Sequence, residues 1–249
     1  MNMNPIGLEL WPPLLVATLP MVGQVHVCRK RIDRSAPCVG PDISLLDIKE
    51  QQRARRFHFL SDALTYVGTR ATLRRLVGQM LALDPTAVVF RYNAFGKPSV
   101  ETPSNLKFSV SHSGDFALIA FSRGREVGID IERERRPVPD KLDTWFSVDE
   151  VEELRSLNGM DQLTAFYRCW TQKEAYLKAR GEGLSFGLQR FSIRVAQKSP
   201  PALMWVDAEP TETHRWQIYD FEPHRDYRGA LVVERPVDAV FYWSVDADA

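Results

Sequence analysis

Hydrophobic and polar positions recur along this chain with two periods, one typical of helices and the other of strands. The clearest helical pattern covers residues 161–180, where apolar side chains return every three or four positions on one face. That face consists of Leu163, Phe166, Tyr167, Trp170 and Leu177. Glu174 falls near the middle of the stripe, and Lys178 follows one turn later. A carboxylate facing a core is costly unless a cation meets it, so this helix predicts a functional site.

The same patterning predicts the other elements of the fold. Further helices are expected at 44–60 and 62–83, and a short helix begins at Ser147, where Glu150 completes a capping box. Strands are expected at 24–31, 87–92, 106–111, 116–122, 126–132, 190–196, 202–206, 214–221, 227–234 and 239–245. The charged run 133–140 contains two prolines and predicts a linker. Helices and strands occupy both halves, which indicates an α+β protein.

Composition excludes some functions without choosing one. The 249 residues suffice for one large domain or two small ones, and 44% of them are hydrophobic. The 32 basic and 32 acidic residues balance, so no overall field favours nucleic acid. Three widely spaced cysteines predict neither a zinc site nor a disulfide framework. The apolar stretch 8–22 is interrupted by prolines and is too short to span a bilayer, so we expect a cytoplasmic protein without membrane contact.

Two further carboxylates lie in the predicted strand at 126–132. Asp130 and Glu132 are two positions apart, so a strand points both side chains to one face. Together with Glu174 they form the oxygen-rich set that suits a hard divalent cation. Two plainer interpretations stay open. The strand can be half exposed with a polar outer face, and Glu174 with Lys178 can be an ordinary i,i+4 ion pair.

Other polar segments suit phosphate or ribose. Neighbouring Ser111 and His112 point apart in a strand, and the G-x-S-x-G elbow is missing, which excludes a hydrolytic triad. His112 is either a phosphate or ribose contact or a structural turn histidine. Lys97 lies between Gly96 and Pro98, which does not match a Walker A loop, yet it can still hold a phosphate. The arginine clusters at 53–56 and 70–75 are either solvated helix faces or phosphate contacts.

Four segments in a fixed order form a more specific pattern. They are GKP at 96–98, FSVSHS at 108–113, GIDIE at 128–132 and WTQKEAYLK at 170–178. The tail GEGLS at 181–185 precedes a strand that begins with Phe191, and a weaker match lies at 55–63. The combination resembles the 4′-phosphopantetheinyl transferases of the surfactin-synthetase-activating (Sfp) type.

This resemblance implies both a fold and a reaction. Such enzymes are pseudo-dimers of two similar α/β lobes with the active site in the cleft between them, which here implies lobes at 1–127 and 128–249. They transfer the 4′-phosphopantetheine group of coenzyme A to a serine of an apo carrier protein (acyl, peptidyl or aryl) and release 3′,5′-ADP. The reaction depends on Mg²⁺. A monomer suffices because both lobes belong to one chain, and neither the carrier nor the pathway follows from the sequence.

The resemblance also implies roles for individual residues. Asp130, Glu132 and Glu174 would ligate Mg²⁺, Glu174 would take the proton from the carrier serine, and Lys178 would pair with a phosphate in that step. The coenzyme A contacts would be Arg53, Lys97, Pro98, Ser111, His112 and Lys178. Thr65 departs from the pattern, because many members have arginine there, and Arg70 is the nearest replacement.

The surface for the carrier is less specific. Carrier proteins are usually acidic, so basic and apolar residues near the cleft should receive them. Trp145, Phe146 and the helix after Ser147 are candidates, and the plainer interpretation of both aromatic residues is a core position.

Two other functions stay open at this point. A Mg²⁺-dependent hydrolase of coenzyme A or of a dinucleotide would use the same three carboxylates to activate water. A non-catalytic module that binds coenzyme A or a carrier is disfavoured, because a pure binder could dispense with Glu174.

Overall fold

A computed structural model describes residues 11–135, 137–196 and 199–246 of the chain, without the side chain of Leu184. These residues contain eleven strands and five α-helices. The strands are β1 (Gln24–Arg31), β2 (Phe90–Tyr92), β3 (Pro98–Val100), β4 (Leu106–Ser113), β5 (Phe116–Arg123), β6 (Val127–Arg133), β7 (Phe191–Ile193), β8 (Leu203–Val206), β9 (Trp216–Phe221), β10 (Tyr227–Glu234) and β11 (Ala239–Ser244). The helices are α1 (Ile48–Ala54), α2 (Leu60–Leu81), α3 (Val148–Ser156), α4 (Gly159–Arg180) and α5 (Glu212–Arg215). None of the described helices is long and apolar enough to cross a membrane.

Local signals account for most helix boundaries. The capping box of Ser147 and Glu150 is present at the start of α3, as expected. Helix α4 ends where Gly181 adopts the left-handed conformation, with φ of 76°. The helix expected at 44–60 is wrong in its extent. Asp47 forms its own capping box with Glu50 and starts α1 late, and the chain leaves the helix after Ala54.

Two larger sheets carry the fold. In the first, the strands lie in the order β11-β1-β5-β4, and β11 pairs with β1 in parallel. In the second, the order is β6-β10-β9 and all pairs are antiparallel. Two small hairpins, β2–β3 and β7–β8, complete the strands. The expected strand at 87–92 is shorter than predicted, because Ala87 ends a 3-10 turn at Pro85–Ala87 and strand pairing begins only at Phe90.

The two sheets pack face to face, and each carries one 22-residue helix on its outer face. Leu118 of β5 packs towards the second sheet, where it meets Ile129 and Leu231 in one core. The neighbouring Ile119 points the other way and packs against Leu73 of α2. Helix α4 covers the opposite face of the second sheet in the same manner. These layers confirm the expected α+β fold with two lobes.

The proposed division into 1–127 and 128–249 stays a prediction, and one strand crosses it. β11 lies near the end of the chain but belongs to the first sheet, where Val27 is aligned with Tyr242. An isolated parallel bridge between Pro13 and Ser244 extends the same edge. The first lobe is therefore completed by the last strand of the second half.

Candidate active site

Alternate serines on β4 connect the two sheets at the cleft. Because side chains alternate along a strand, Ser109, Ser111 and Ser113 share one face. The backbone N–H of Ile129 donates to Ser109 Oγ at 3.1 Å. Ser111 Oγ donates to Asp130 Oδ1 at 2.7 Å, and Ser113 Oγ donates to Glu132 Oε2 at 2.8 Å. The serines thus orient both strand carboxylates.

Gly128 brings helix α4 close to these carboxylates. A Cβ atom at Gly128 would lie 1.9 Å from the carbonyl oxygen of Ala175, so only glycine permits this contact between β6 and α4. The close approach places Lys178 Nζ 2.7 Å from Asp130 Oδ1 and 2.8 Å from Ser111 Oγ. Lys178 of α4 is thereby paired with Asp130, one of the three carboxylates expected to ligate a metal ion.

Glu174 does not face a core, and that expectation from the apolar stripe was wrong. From Ala165 onwards helix α4 is buried on nearly every side, and Trp170, Glu174 and Lys178 form a half-exposed row at i,i+4 spacing. The second lobe covers most of the helix, while this row faces the cleft. Glu174 lines an opening of about 390 Å³ together with Trp170 and the segment 187–190.

The three carboxylates influence one another. Burial and the charge of Asp130 raise the pKa of Glu132, and the same two causes raise the pKa of Glu174. Asp130 Oδ2 is buried and has no hydrogen-bond partner among the described residues. Crowded carboxylates and an unpartnered oxygen are what a cation would relieve.

The described residues contain no group of three or more His, Cys, Asp or Glu side chains close enough to hold a metal ion. Here the ammonium of Lys178 meets Asp130, so one of the three carboxylates has a cationic partner of its own. The oxygen atoms of the three carboxylates are chemically suited to Mg²⁺. In the described residues, however, the three side chains do not converge on one point.

A cavity of about 340 Å³ adjoins the carboxylates and collects the residues expected to contact coenzyme A. Five of those six residues line it, namely Arg53, Lys97, Pro98, His112 and Lys178. The sixth, Ser111, lies behind Lys178 and bonds to it. The structure therefore brings together residues from α1, the β2–β3 turn, β4 and α4.

Cations and aromatic rings shape this cavity. Lys97 Nζ donates to Glu126 Oε2 at 2.7 Å and to the carbonyl oxygen of Ala179 at 2.9 Å, and burial lowers its pKa. Burial and the nearby charge of Lys178 lower the pKa of His112. The guanidinium of Arg53 lies 5.2 Å from the ring centre of Tyr66. The cavity combines positive charge with a flat apolar surface, which suits a nucleotide carrying several phosphates.

Sequence reasoning missed three residues near the site. Tyr66 and Tyr92 line the cavity, and the phenol of Tyr92 accepts a hydrogen bond from Arg70 at 3.0 Å. Tyr66 lies one turn before Arg70 on α2, a spacing that could have drawn attention to it. Arg34 lies in the loop after β1, lines a neighbouring cavity with Glu132, and has no motif around it. Thr65 is turned away and donates to the carbonyl oxygen of Ser61.

Phe146, one candidate for contact with a carrier, is 2% exposed and belongs to the core of the second lobe, so its plainer interpretation as a core residue is confirmed. Its neighbour Trp145 is half-buried and packs edge-on against Trp170 with 6.0 Å between ring centres. Helix α3 keeps an exposed apolar residue, Val148, in its first turn.

Two sequence profiles match the chain in consecutive segments. Residues 41–123 match the N-terminal part of a 4′-phosphopantetheinyl transferase, and residues 126–232 match the 4′-phosphopantetheinyl transferase superfamily. The boundary between the two matches falls between β5 and β6, where the two sheets meet.

Characterised relatives match most of the chain. The 4′-phosphopantetheinyl transferase psf-1 of Bacillus pumilus is 31% identical over 212 residues, which is 85% of each chain. The 4′-phosphopantetheinyl transferase HetI of Nostoc sp. is 32% identical over 216 residues, covering 84% of this chain and 87% of its own. The crystal structure of Thermotoga maritima holo-[acyl-carrier-protein] synthase aligns with 44% of this chain and 62% of its own at 23% identity and a TM-score of 0.36, too loosely to carry an argument.

The cleft, its carboxylates and these relatives define a group-transfer enzyme. The chain belongs to the 4′-phosphopantetheinyl transferase superfamily, as the four ordered segments of its sequence predicted.

Proposed function

We propose that this enzyme transfers the 4′-phosphopantetheine group of coenzyme A to a serine of an apo carrier protein and releases 3′,5′-ADP. The observation that carries the proposal is the ion pair of Lys178 with Asp130 at the mouth of the cationic cavity, where the charge of Asp130 also raises the pKa values of Glu132 and Glu174. The enzyme needs no nucleophile of its own, because the carrier supplies the attacking hydroxyl.

The cationic cavity holds the nucleotide half of coenzyme A. Lys97, His112 and Lys178 contact its phosphates, and Ser111 keeps Lys178 in position. Burial and the charge of Lys178 lower the pKa of His112, which favours the neutral imidazole, and this form keeps one ring N–H that can donate a hydrogen bond. Arg53 lies at the adenine or phosphate end, beside Tyr66 and Pro98.

Asp130, Glu132 and Glu174 would hold Mg²⁺. The unpartnered Oδ2 of Asp130 and the raised pKa values of both glutamates support this assignment. Bound there, Mg²⁺ would neutralise charge that develops on the phosphate groups during transfer.

Glu174 accepts the proton of the carrier serine, directly or through a water. Burial and the charge of Asp130 raise the pKa of Glu174, so in the metal-free protein its carboxylate takes up a proton more readily than a free one. Lys178 follows one turn later on α4 and holds the phosphate side of the reaction. The fixed spacing along one helix keeps base and phosphate contact at a constant separation.

The setting of the reaction is also part of the proposal. One chain supplies both lobes and the whole cleft, so the enzyme works as a monomer. We place it in the cytoplasm, where coenzyme A and apo carriers are available, without contact to membranes or nucleic acid.

The test is the intact mass of a purified apo carrier protein after incubation with the enzyme, coenzyme A and Mg²⁺, beside an EDTA control. We expect a metal-dependent gain of one phosphopantetheine group together with release of 3′,5′-ADP. Consumption of coenzyme A without any gain on several carriers would favour the hydrolase instead. Neither change would favour a binding module.

A further inference from the structure

Each lobe anchors its long helix with a buried glutamate from the short helix that precedes it. In the second lobe, Glu150 of α3 pairs with Lys173 of α4, 23 residues later. In the first lobe, Glu50 occupies the same place in the capping box of α1 and is 4% exposed. It accepts hydrogen bonds from Arg70 Nε and Arg74 Nε of α2, both at 2.7 Å. The first lobe therefore repeats the ion pair of the second and adds one cation.

Arg74 is the counterpart of Lys173, and its side chain is equally buried. Its guanidinium also pairs with Asp47 of the capping box at 3.0 Å. It donates further hydrogen bonds to the carbonyl oxygens of Pro85 at 3.1 Å and Val88 at 2.9 Å. Arg74 alone is thus enough to join α1 to α2, in the way that Lys173 joins α3 to α4.

Arg70 is the additional cation, and it lies at the wall of the nucleotide cavity. Its Nη2 donates to the phenol oxygen of Tyr92 on β2 at 3.0 Å, and its guanidinium lies 4.4 Å from the ring centre of Phe90. Among the described residues, no hydrogen bond of Arg70 uses Nη1. Arg70 therefore links Glu50 to β2 and keeps one nitrogen for a bound molecule.

Glu50 also fixes the short helix that carries Arg53. Helix α1 has seven residues, too few to be stable alone, and its only other buried residue is Ala54. Arg53 follows Glu50 by one turn, and its guanidinium lies 5.2 Å from the ring centre of Tyr66. Tyr66 in turn precedes Arg70 by one turn of α2. The bonds of Glu50 thus hold α1 and α2 together exactly where both line the cavity.

We propose that Glu50 is a positioning residue for coenzyme A. Through Arg70 it keeps α1, α2 and β2 in the arrangement that binds the nucleotide, so that less freedom is lost on binding. The inference rests on the proposed function, which places the nucleotide half of coenzyme A in this cavity. Asp130, Glu132 and Glu174 lie on β6 and α4, away from this wall. Glu50 should therefore govern nucleotide affinity and leave the rate of transfer unchanged.

Removing the charge of Glu50 tests this role. We expect Glu50→Gln to raise the KM for coenzyme A at least about tenfold, with kcat and the KM for an apo acyl carrier protein within about twofold of wild type. Glu50→Asp keeps the charge on a shorter side chain and should recover part of the affinity. The matched control is Glu101→Gln, which removes an exposed carboxylate paired with Arg91 outside the cavity.

A second variant tests the connection through Arg70. Arg70→Met leaves Glu50 paired with Arg74, so the anchor of α2 remains while the link to the cavity is cut. We expect it to raise the KM for coenzyme A about as much as Glu50→Gln, and the double variant to add no more than about twofold. Two effects that multiply in the double variant would contradict this connection. If circular dichroism shows Glu50→Gln to be unfolded, Arg70→Met carries the test, and a KM equal to that of the Glu101→Gln control would refute the proposal.

Binding of 3′,5′-ADP separates this inference from the proposed function, because isothermal titration calorimetry needs neither carrier nor transfer. We expect its dissociation constant to rise at least about tenfold in Glu50→Gln. That rise in a protein that modifies no carrier would support the positioning role and refute the transferase. A dissociation constant equal to that of Glu101→Gln, or a fall in kcat at unchanged KM, would show that Glu50 only stabilises the fold. No binding by wild type would overturn both proposals.

Discussion

At the scale of single residues, the function depends on where charge is left without full compensation. Asp130 gives one oxygen to Lys178 and Ser111 and keeps the other buried without a partner among the described residues. Glu174 stands in the half-exposed row of α4, where burial and Asp130 disfavour its ionised form. Carboxylates whose negative charge is not fully compensated are expected at a site that holds a cation and accepts a proton.

Replacing the proposed base should abolish transfer without unfolding the protein. We expect Glu174→Gln to lower kcat by at least about 100-fold, because the amide cannot accept the serine proton. The intact-mass assay measures this, and circular dichroism checks the fold. The control is Glu153→Gln on the exposed side of α3. Transfer at the wild-type rate by Glu174→Gln would rule out Glu174 as the base.

The same variant should be more stable than wild type when metal is absent. A pKa raised by folding means that the folded state holds the proton more tightly than the unfolded state. The stability from this group is therefore complete below its unfolded pKa, about 4.3, and is lost as pH rises through the folded value. We expect Glu174→Gln in EDTA to melt about 2 °C higher than wild type at pH 7, with the difference vanishing near pH 4. Differential scanning calorimetry gives the melting temperatures at pH 7 and pH 4. An equal difference between variant and wild type at both pH values would contradict the electrostatic repulsion between Glu174 and Asp130.

At the scale of elements, α4 is fixed by a buried ion pair that sequence reasoning did not find. Lys173 Nζ donates to Glu150 Oε2 at 2.6 Å and to the carbonyl oxygen of Phe191 at 2.9 Å. Glu150 also accepts the N–H of Ile193 at 2.7 Å, and both charged side chains are fully buried. The pair joins α3, α4 and β7, and it sets the rotation of α4 that turns Glu174 towards the cleft.

Breaking this pair from the lysine side should be costly. Lys173→Met leaves the Glu150 carboxylate buried without its cation, and we expect a loss of about 3–5 kcal/mol in the free energy of unfolding. Urea denaturation measures it, with Lys49→Met on the exposed face of α1 as control. Adding Glu150→Gln should recover part of the loss, because it removes the uncompensated charge. No recovery would indicate that the cost arises from packing instead.

At the scale of the whole molecule, the two lobes share one core, and the second half of the chain supplies a strand to the first sheet. Ile129 and Leu231 of the second sheet are buried against Val27 and Leu118 of the first. β11 supplies the edge of the first sheet from the far end of the chain. The cleft is therefore a product of the assembled pair of lobes.

Separated halves should fail to fold. Fragments 1–127 and 128–249 each expose half of the shared core to water, and the first also lacks β11. We expect each alone to show poorly dispersed NMR spectra and no cooperative unfolding, and co-expression to restore transferase activity. A fragment 1–127 that unfolds cooperatively by itself would show that the lobes are independent domains.

Local sequence settled much of this structure. β1 and β10 have the bounds expected from alternation and turn residues, and α3 begins at its capping box. The ordered motifs also indicated which residues gather at the cleft, since Arg53, Lys97, His112 and Lys178 line one cavity. These features depend on neighbours within a few positions or on a pattern of residue types, both of which are written in the sequence.

Tertiary structure decided the rest, because it depends on residues far apart in the chain. No residue near Lys173 in the sequence indicates that its partner is Glu150, 23 positions away. The loop residue Arg34 belongs to no motif that would predict its position near the cleft. Glu174 seemed to face a core because the stripe reports only that α4 is apolar, while the packing of β6 and β10 decides which row stays open. A sequence specifies which groups are available, and packing between distant segments determines which of them meet.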